Sequence, residues 1–241
     1  MKKIAILGTR GIPASYSGFE TSVEETSIRL VEQGYNVTVF CRSNHYNNKL
    51  DNYKGVNLKY FPSIKSKHLD TVTNTFFSVL DVVKKKYDII ILYGIGNAYF
   101  LPIIKLFCKN VISVVDGADW ERGKWGPFAK FVLRNGRNFV INFSNYYVVD
   151  NELLAEDYEK RFNKTPVYIP YGARIPSAYN EHILKKYSLE KDHYIIFIGR
   201  FVKEKGIDFL LENYSQLKTN IKLVVVGGND TDKNYVEKLK M

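Results

Sequence analysis

Glycine recurs in the stretch GTRGIPASYSGFE, at Gly8, Gly11 and Gly18, between an apolar run and a helical pattern. In an α/β protein that junction is where bare backbone amides and the positive end of a helix meet an anionic group. Gly18 falls in the first turn of the helix it opens, so a ligand can approach without meeting a side chain. The same glycines also suit a tight strand-to-helix turn that holds no ligand. A second set of residues lies in IGRFVKEKGIDFLL, where Arg200 follows a strand and Lys205 and Gly206 precede a helix. Arginine offers a bidentate fork and lysine a mobile point charge, a combination suited to a diphosphate, although Arg-x4-Lys also occurs on plain solvated faces.

The spacing disfavours the commoner phosphate loops. Glycines at 8, 11 and 18 do not form G-x-G-x-x-G, and the next strand ends VFCRSN, with Arg42 where a ribose-binding acid is expected. NAD is therefore disfavoured, while an NADP-dependent oxidoreductase, with Arg42 meeting a 2′-phosphate, stays as a minor alternative. No G-x-x-x-x-G-K-[ST] occurs, which disfavours a P-loop nucleotidase.

The elements that position these residues read as repeated β-α units. Short β-branched runs, KIAIL, NVTVF, VNLKYF, DIIILY, VISVV, YYVVD and VYIP, alternate with helical patterns and predict a parallel sheet with helices on both faces. A Rossmann-like first domain is read over 1–175 and a polar, basic linker over 176–192. Residues 193–241 then restart the pattern with YIIFIGR, GIDFLLENYSQL and KLVVVGG. A doubly wound domain normally takes ~100 residues or more, so the second is expected to be incomplete. In the first domain Ser17 and Glu20 fit the S-x-x-E capping box. They predict a helix from Gly18, with inner stripe Val23, Ser27, Leu30 and Val31, ending at Gly34.

Lysine and arginine number 35 against 25 aspartate and glutamate, a balance drawn to diphosphates, anionic lipid or nucleic acid. No aromatic-basic recognition motif appears, so nucleic acid is not expected as a partner. Cys41 and Cys108 lie in apolar stretches without C-x-x-C spacing and read as core residues of a protein in a reducing cytoplasm. MKKIAILG holds too few apolar residues for a signal peptide, and no run approaches the ~20 that span a bilayer. A soluble or peripherally bound protein is expected.

Taken together, GTRGIPASYSGFET, DGADWERGKWG, YIPYGAR and IGRFVKEKGIDFLL resemble bacterial rhamnosyltransferases of the retaining family-four glycosyltransferases, from Lys3 to about Gly228. The resemblance implies a GT-B architecture of two Rossmann-like domains, the acceptor mainly on the first and the nucleotide sugar mainly on the second, with no metal or other cofactor. It makes Gly18 the glycine that meets the donor phosphates or the transferred sugar, and Arg200 and Lys205 the diphosphate-binding pair. Asp116 and Asp119 become the catalytic acids, in a D-G-x-[ED]-W pattern that Trp120 completes. A carboxylate at the carboxyl end of a strand can accept a sugar hydroxyl's hydrogen bond and steady positive charge at the anomeric carbon. A helix cap is the plain alternative for Asp116. Relatives also carry two glutamates, separated by seven residues, late in the second domain. Glu204 and Glu212 have that spacing but stand beside the Arg-Lys pair, ~80° apart on a helix, and are read as surface acids. The true pair is expected to be missing.

The implied reaction moves a deoxyhexose, rhamnose from dTDP-rhamnose, to a lipid-diphosphate-linked sugar in surface polysaccharide synthesis, with retention. The alternative is a truncated, non-catalytic acceptor-binding module. Residues 126–143 place Phe128, Phe131, Val132, Phe139 and Phe143 on one helical stripe and Lys130, Arg134 and Arg137 off it, a stripe that more often faces the core of such a domain than a membrane. Trp120, Arg122, Lys124 and Trp125 add an aromatic and basic mix that suits a lipid interface. The expected location is the cytoplasmic face of the plasma membrane, beside an undecaprenyl-diphosphate-linked sugar.

Overall fold

The computed structural model describes the chain except residues 16, 65, 67, 68, 116, 118, 122–124, 174, 176–180, 229–232, 240 and 241. It divides into a unit of Met1–Ala173 and a unit of Arg174–Met241.

The first unit is built on one sheet of eight strands among the described residues: β1 Lys3–Leu7, β2 Asn36–Arg42, β3 Asn52–Tyr53, β4 Val56–Phe61, β5 Ile89–Tyr93, β6 Asn110–Val115, β7 Tyr146–Val149 and β8 Val167–Tyr168. Their order is β3-β4-β2-β1-β5-β6-β7-β8, and every pairing is parallel except β3 with β4. The short β3 is absent from the sequence reading. Its turn is set by Lys54 and Gly55, both at positive φ (49° and 84°), the requirement of a tight two-residue hairpin.

Among the described residues five α-helices cover the sheet: α1 Gly18–Glu32, α2 Leu69–Lys85, α3 Leu101–Phe107, α4 Pro127–Phe143 and α5 Glu152–Phe162. Alternation along the strands sends side chains to two separate cores. Ile4, Ile6, Val37, Val39 and Cys41 join Val23 of α1 on one face. Ala5, Leu7, Phe40, Ile90 and Leu92 join α2 to α5 on the other, through Val79, Ile104, Val140 and Tyr158. Each fully buried Ile, Leu or Val contributes about 1.5–3 kcal/mol, which selects this register over a one-residue slip.

In α4 the expected stripe is corrected. Phe128 and Phe131 are 80% and 64% exposed, while the buried face consists of Leu133, Gly136, Arg137, Val140 and Ile141. The reason is close approach: a Cβ on Gly136 would lie 2.8 Å from the Ile95 carbonyl oxygen, so the glycine row must face inward. Arg137 comes with it and caps Trp120 with its guanidinium, 4.3 Å from the ring centroid.

The second unit holds β9 Tyr194–Arg200 and β10 Lys222–Gly228, paired in parallel from Tyr194↔Lys222 to Arg200↔Gly228. Helices α6 Glu181–Lys186, α7 Ile207–Ser215 and α8 Lys233–Leu239 accompany them. The segment read as a linker thus contains a helix, α6. Ile207 is buried, whereas Ile195, Ile196, Ile198 and Val226 of the strands are exposed.

Candidate functional site

The strand order reverses direction between β1 and β5, and in open α/β sheets ligands bind beyond the carboxyl ends of the strands at such a point. Leu7 pairs with Leu92 there, and the chain leaves β1 through Gly8 at φ 98°. A Cβ on Gly8 would lie 2.2 Å from the Tyr93 carbonyl oxygen. Asn97, fully buried, donates from Nδ2 to the carbonyls of Gly8 at 3.3 Å and Tyr93 at 2.8 Å, and its Oδ1 accepts from the Thr75 hydroxyl at 2.9 Å. Sequence reasoning missed Asn97, since a polar residue in a glycine-rich apolar stretch carries no pattern of its own.

Beyond Gly8 the loop is fastened to β2 and α1. Gly11, at φ 113°, sits where a Cβ would lie 2.4 Å from Cys41 Sγ, and the Arg42 amide donates to the Arg10 carbonyl at 2.9 Å. Two glutamates one helical turn apart hold the rest. Glu20, buried, accepts from the Arg10 amide at 3.3 Å and from the Ser17 hydroxyl, and Glu24 accepts from the Ala14 amide at 2.7 Å and the Tyr53 hydroxyl at 3.1 Å. The Tyr46 hydroxyl donates to the Pro13 carbonyl at 3.3 Å.

This corrects the capping box. Helix α1 does begin at Gly18 with Ser17 as its N-cap, but the Ser17 side chain caps no backbone amide and bonds to Glu20 instead. Glu20 reaches outward to the preceding loop because the Arg10 amide, buried against it, needs an acceptor. Gly18 itself is exposed, with nothing within 4 Å of where a Cβ would stand. Gly8 and Gly11 are thus required by the turn and Gly18 is not, which leaves the approach to the first amides of α1 open.

Arg42 is not free to meet a phosphate. It is buried, its fork is spent on Asp70 at 2.6 Å and Thr71 at 2.9 Å, and burial lowers its pKa. Burial works against ionisation of Asp70, but the Ser63 hydroxyl and the charge of Arg42 outweigh it and hold the carboxyl below its ordinary value. The basis for an NADP reading is thereby removed. Cys41 and Cys108 are both buried and unpaired as disulfides, and burial pushes the Cys41 thiol up to about 12, a poor nucleophile at neutral pH.

Beside the switch point, β6 runs out into the DGADW segment. Asp116 lies outside the described residues, as do Arg122 and Lys124. Asp119 and Trp120 form a short 3₁₀ turn with Glu121. Of Asp119 only the backbone is described. Trp120 is 3% exposed, stacked under Arg137, whose Nη1 reaches Asp157 at 3.3 Å. Trp125 is packed against the same core. Trp120 thus offers no ring to a lipid interface, and Trp125 is partly buried. Their bulk anchors the segment to α4 and α5 because burying an indole outweighs exposing it.

In the second unit Arg200 ends β9 and is exposed, and Lys205, also exposed, stands just before Gly206, which enters α7 at φ 64°. Neither side chain makes an ion pair among the described residues. At the same strand ends a Cβ on Gly227 would lie 1.8 Å from the Gly199 carbonyl oxygen, so this edge is glycine-lined and low. Glu204 and Glu212 are both exposed. Glu204 lies in a separate 3₁₀ turn, Lys203–Lys205, so the two are not members of one helix as the spacing implied.

Residues 1–174 match the family described as Domain of unknown function (DUF1972), and residues 180–241 match Glycosyl transferases group 1. No curated protein matches the chain. Among solved structures, a glycosyltransferase from Rickettsia africae superposes with a TM-score of 0.65 at 15% identity, over 99% of this chain and 64% of that one. UGT2 of Phytolacca americana, complexed with UDP-2fluoro-glucose and pterostilbene, gives 0.57 at 9% identity, over 94% and 71%. UGT89C1 of Arabidopsis thaliana, complexed with UDP-L-rhamnose, gives 0.54 at 10%, over 94% and 69%. The fold is that of the GT-B glycosyltransferases, and the chain spans 64% to 71% of these three.

Proposed function

The chain belongs to the family described as Domain of unknown function (DUF1972) and its second unit matches the group 1 glycosyl transferases, which makes it a glycosyltransferase; from its two strand-edge sites we propose the donor and the acceptor. The donor is a nucleotide deoxyhexose, rhamnose carried by dTDP, and the acceptor a lipid-diphosphate-linked sugar, with retention at the anomeric carbon and the membrane reached peripherally from the cytoplasm. The observation that carries the reading is the exposed Arg200 and Lys205, without an ion pair among the described residues, at the glycine-lined end of β9. A diphosphate leaving group needs cationic donors of this kind, and no metal need take their place. Gly18, in the first unit, leaves a helix end open to an anionic group. That UGT89C1 was solved with UDP-L-rhamnose supports a nucleotide-linked rhamnose as a ligand this fold can accept.

Asp116 and Asp119 are assigned to the transferred sugar, Asp116 accepting a hydroxyl and steadying charge at the anomeric carbon. The test is release of nucleoside diphosphate from dTDP-rhamnose in the presence of a polyprenyl-diphosphate sugar, with UDP-rhamnose as comparison. Arg200→Ala with Lys205→Ala weakens dTDP binding by about 1.5–3 kcal/mol per lost contact. Unaltered calorimetric affinity in that double variant removes both residues from the site.

A further inference from the structure

The outer surface of α2 to α4 is apolar where a folded domain ordinarily shows charge. On α2 the inward residues include Asn74, Thr75 and Ser78, all hydrogen-bonded, while Leu69, Val72, Phe76, Phe77 and Leu80 are exposed. Positions 69, 72, 76 and 80 recur at helical spacing, and Lys84, exposed, continues the row one turn on. The apolar row is thus only partly covered among the described residues. The exposed Ile103, Leu106 and Phe107 of α3 extend it, Leu106 being 81% exposed, and Phe128 and Phe131 of α4 add to it. Helix α2 packs on α3 and α3 on α4, and the Phe76 ring lies 6.5 Å from that of Phe100, just before α3. Exposed apolar side chains thus recur on three successively packed helices, a pattern of a kind that marks an interaction surface.

Its electrostatics favour one occupant. Helices α3 and α4 carry Lys105, Lys130, Arg134 and the buried Arg137 and no acid. On α2 the acids are already engaged, Asp70 by Arg42 and Asp81 by Lys59. Lys84, Lys85, Lys86 and Lys109 are exposed where α2 and α3 lead into the neighbouring strands β5 and β6. A second copy would bring the same lysines against these and repel. A bilayer with anionic headgroups takes the apolar rings at its boundary, the lysine stems along it and the ammonium groups at its phosphates.

We propose that the outer face of α2 and α3, with the first turns of α4, docks the protein on an anionic bilayer. This names the surface for the membrane part of the reading above and rests on that part alone. Trp120 is not part of this face, because its ring is buried in the core. No helix among the described residues is long and apolar enough to cross a membrane, so the docking is in the plane of the interface.

Flotation with vesicles of phosphatidylcholine alone, and of phosphatidylcholine with phosphatidylglycerol, tests it. Binding to the anionic vesicles is expected to exceed that to the neutral ones about tenfold or more, and to fall with added salt. Phe76→Gln with Leu80→Gln, both on the exposed row, loses most of that binding with an unchanged melting temperature. Lys84→Glu with Lys109→Glu loses it too and keeps every apolar contact. Equal binding to both vesicles, binding unchanged in both variants, or a wild-type dimer that Phe76→Gln with Leu80→Gln dissociates overturns the proposal. Calorimetry with dTDP on the same preparations separates the two readings. Nucleotide binding without vesicle binding overturns this face and spares the donor assignment, and vesicle binding without nucleotide binding supports this face and counts against the donor.

Discussion

The Asn97 side-chain amide bridges the carbonyls of Gly8 and Tyr93, at 3.3 and 2.8 Å, and so ties the end of β1 to the end of β5 where the sheet changes direction. Both acceptors are main-chain carbonyls of buried residues, and buried carbonyls need donors. Asn97→Asp keeps the shape and removes the donor, setting a carboxylate against two carbonyl oxygens. The expected cost is about 2–3 kcal/mol, read as a lower denaturant midpoint at unchanged slope. A loss under about 0.5 kcal/mol would mean that water satisfies the carbonyls.

The three glycines of the loop separate by substitution. Gly8→Ala and Gly11→Ala force a Cβ to within 2.2 Å of Tyr93 O and 2.4 Å of Cys41 Sγ, at φ values of 98° and 113°, and both should fail to give soluble protein. Gly18→Ala meets nothing and starts a helix, so it should stabilise by about 0.5–1 kcal/mol. If Gly18 is kept open for the donor, the same variant binds nucleotide sugar more weakly. Unchanged binding together with the gain in stability makes Gly18 a turn residue only.

The Arg42–Asp70 pair gives a pH dependence of known sign. The folded Asp70 carboxyl is held below its ordinary value, so its contribution is present above the unfolded pKa and lost as pH falls through the folded one. Thermal melts below about pH 4 should therefore decline more steeply for the parent than for Asp70→Asn. At neutral pH that variant leaves the Arg42 charge buried without its partner and costs about 3 kcal/mol. Parallel acid limbs in parent and variant would show that other carboxylates dominate.

The sheet was legible in the sequence because seven β-branched runs are spaced as β-α units, and each became a parallel strand. The start of α1 was legible from Ser17 and Gly18, whereas the direction of Glu20 was not: it depends on a buried amide ten residues back, which no local pattern encodes. The inward face of α4 was misread because apolar spacing counts Phe128 and Phe131 and gives no weight to Gly136, though the glycine sets how closely the helix approaches Ile95. The positions of Arg200 at a strand end and of Lys205 before a helix were legible because sequence marks such junctions directly.

Trp120 carries the last prediction, because its type suggested a lipid interface and its position places it in the core. The ring lies 4.3 Å from the Arg137 guanidinium, which in turn reaches Asp157, so the indole joins the segment after β6 to α4 and α5. Trp120→Ala should cost about 3–5 kcal/mol as a cavity opens beneath a buried charge. Trp120→Phe keeps a ring under Arg137 and should cost about half as much. Neither change touches the exposed row on α2, so the folded Trp120→Phe protein should bind anionic vesicles as the parent does. Vesicle binding lost in Trp120→Phe at an intact melting temperature would place the tryptophan at the lipid surface after all and contradict its burial.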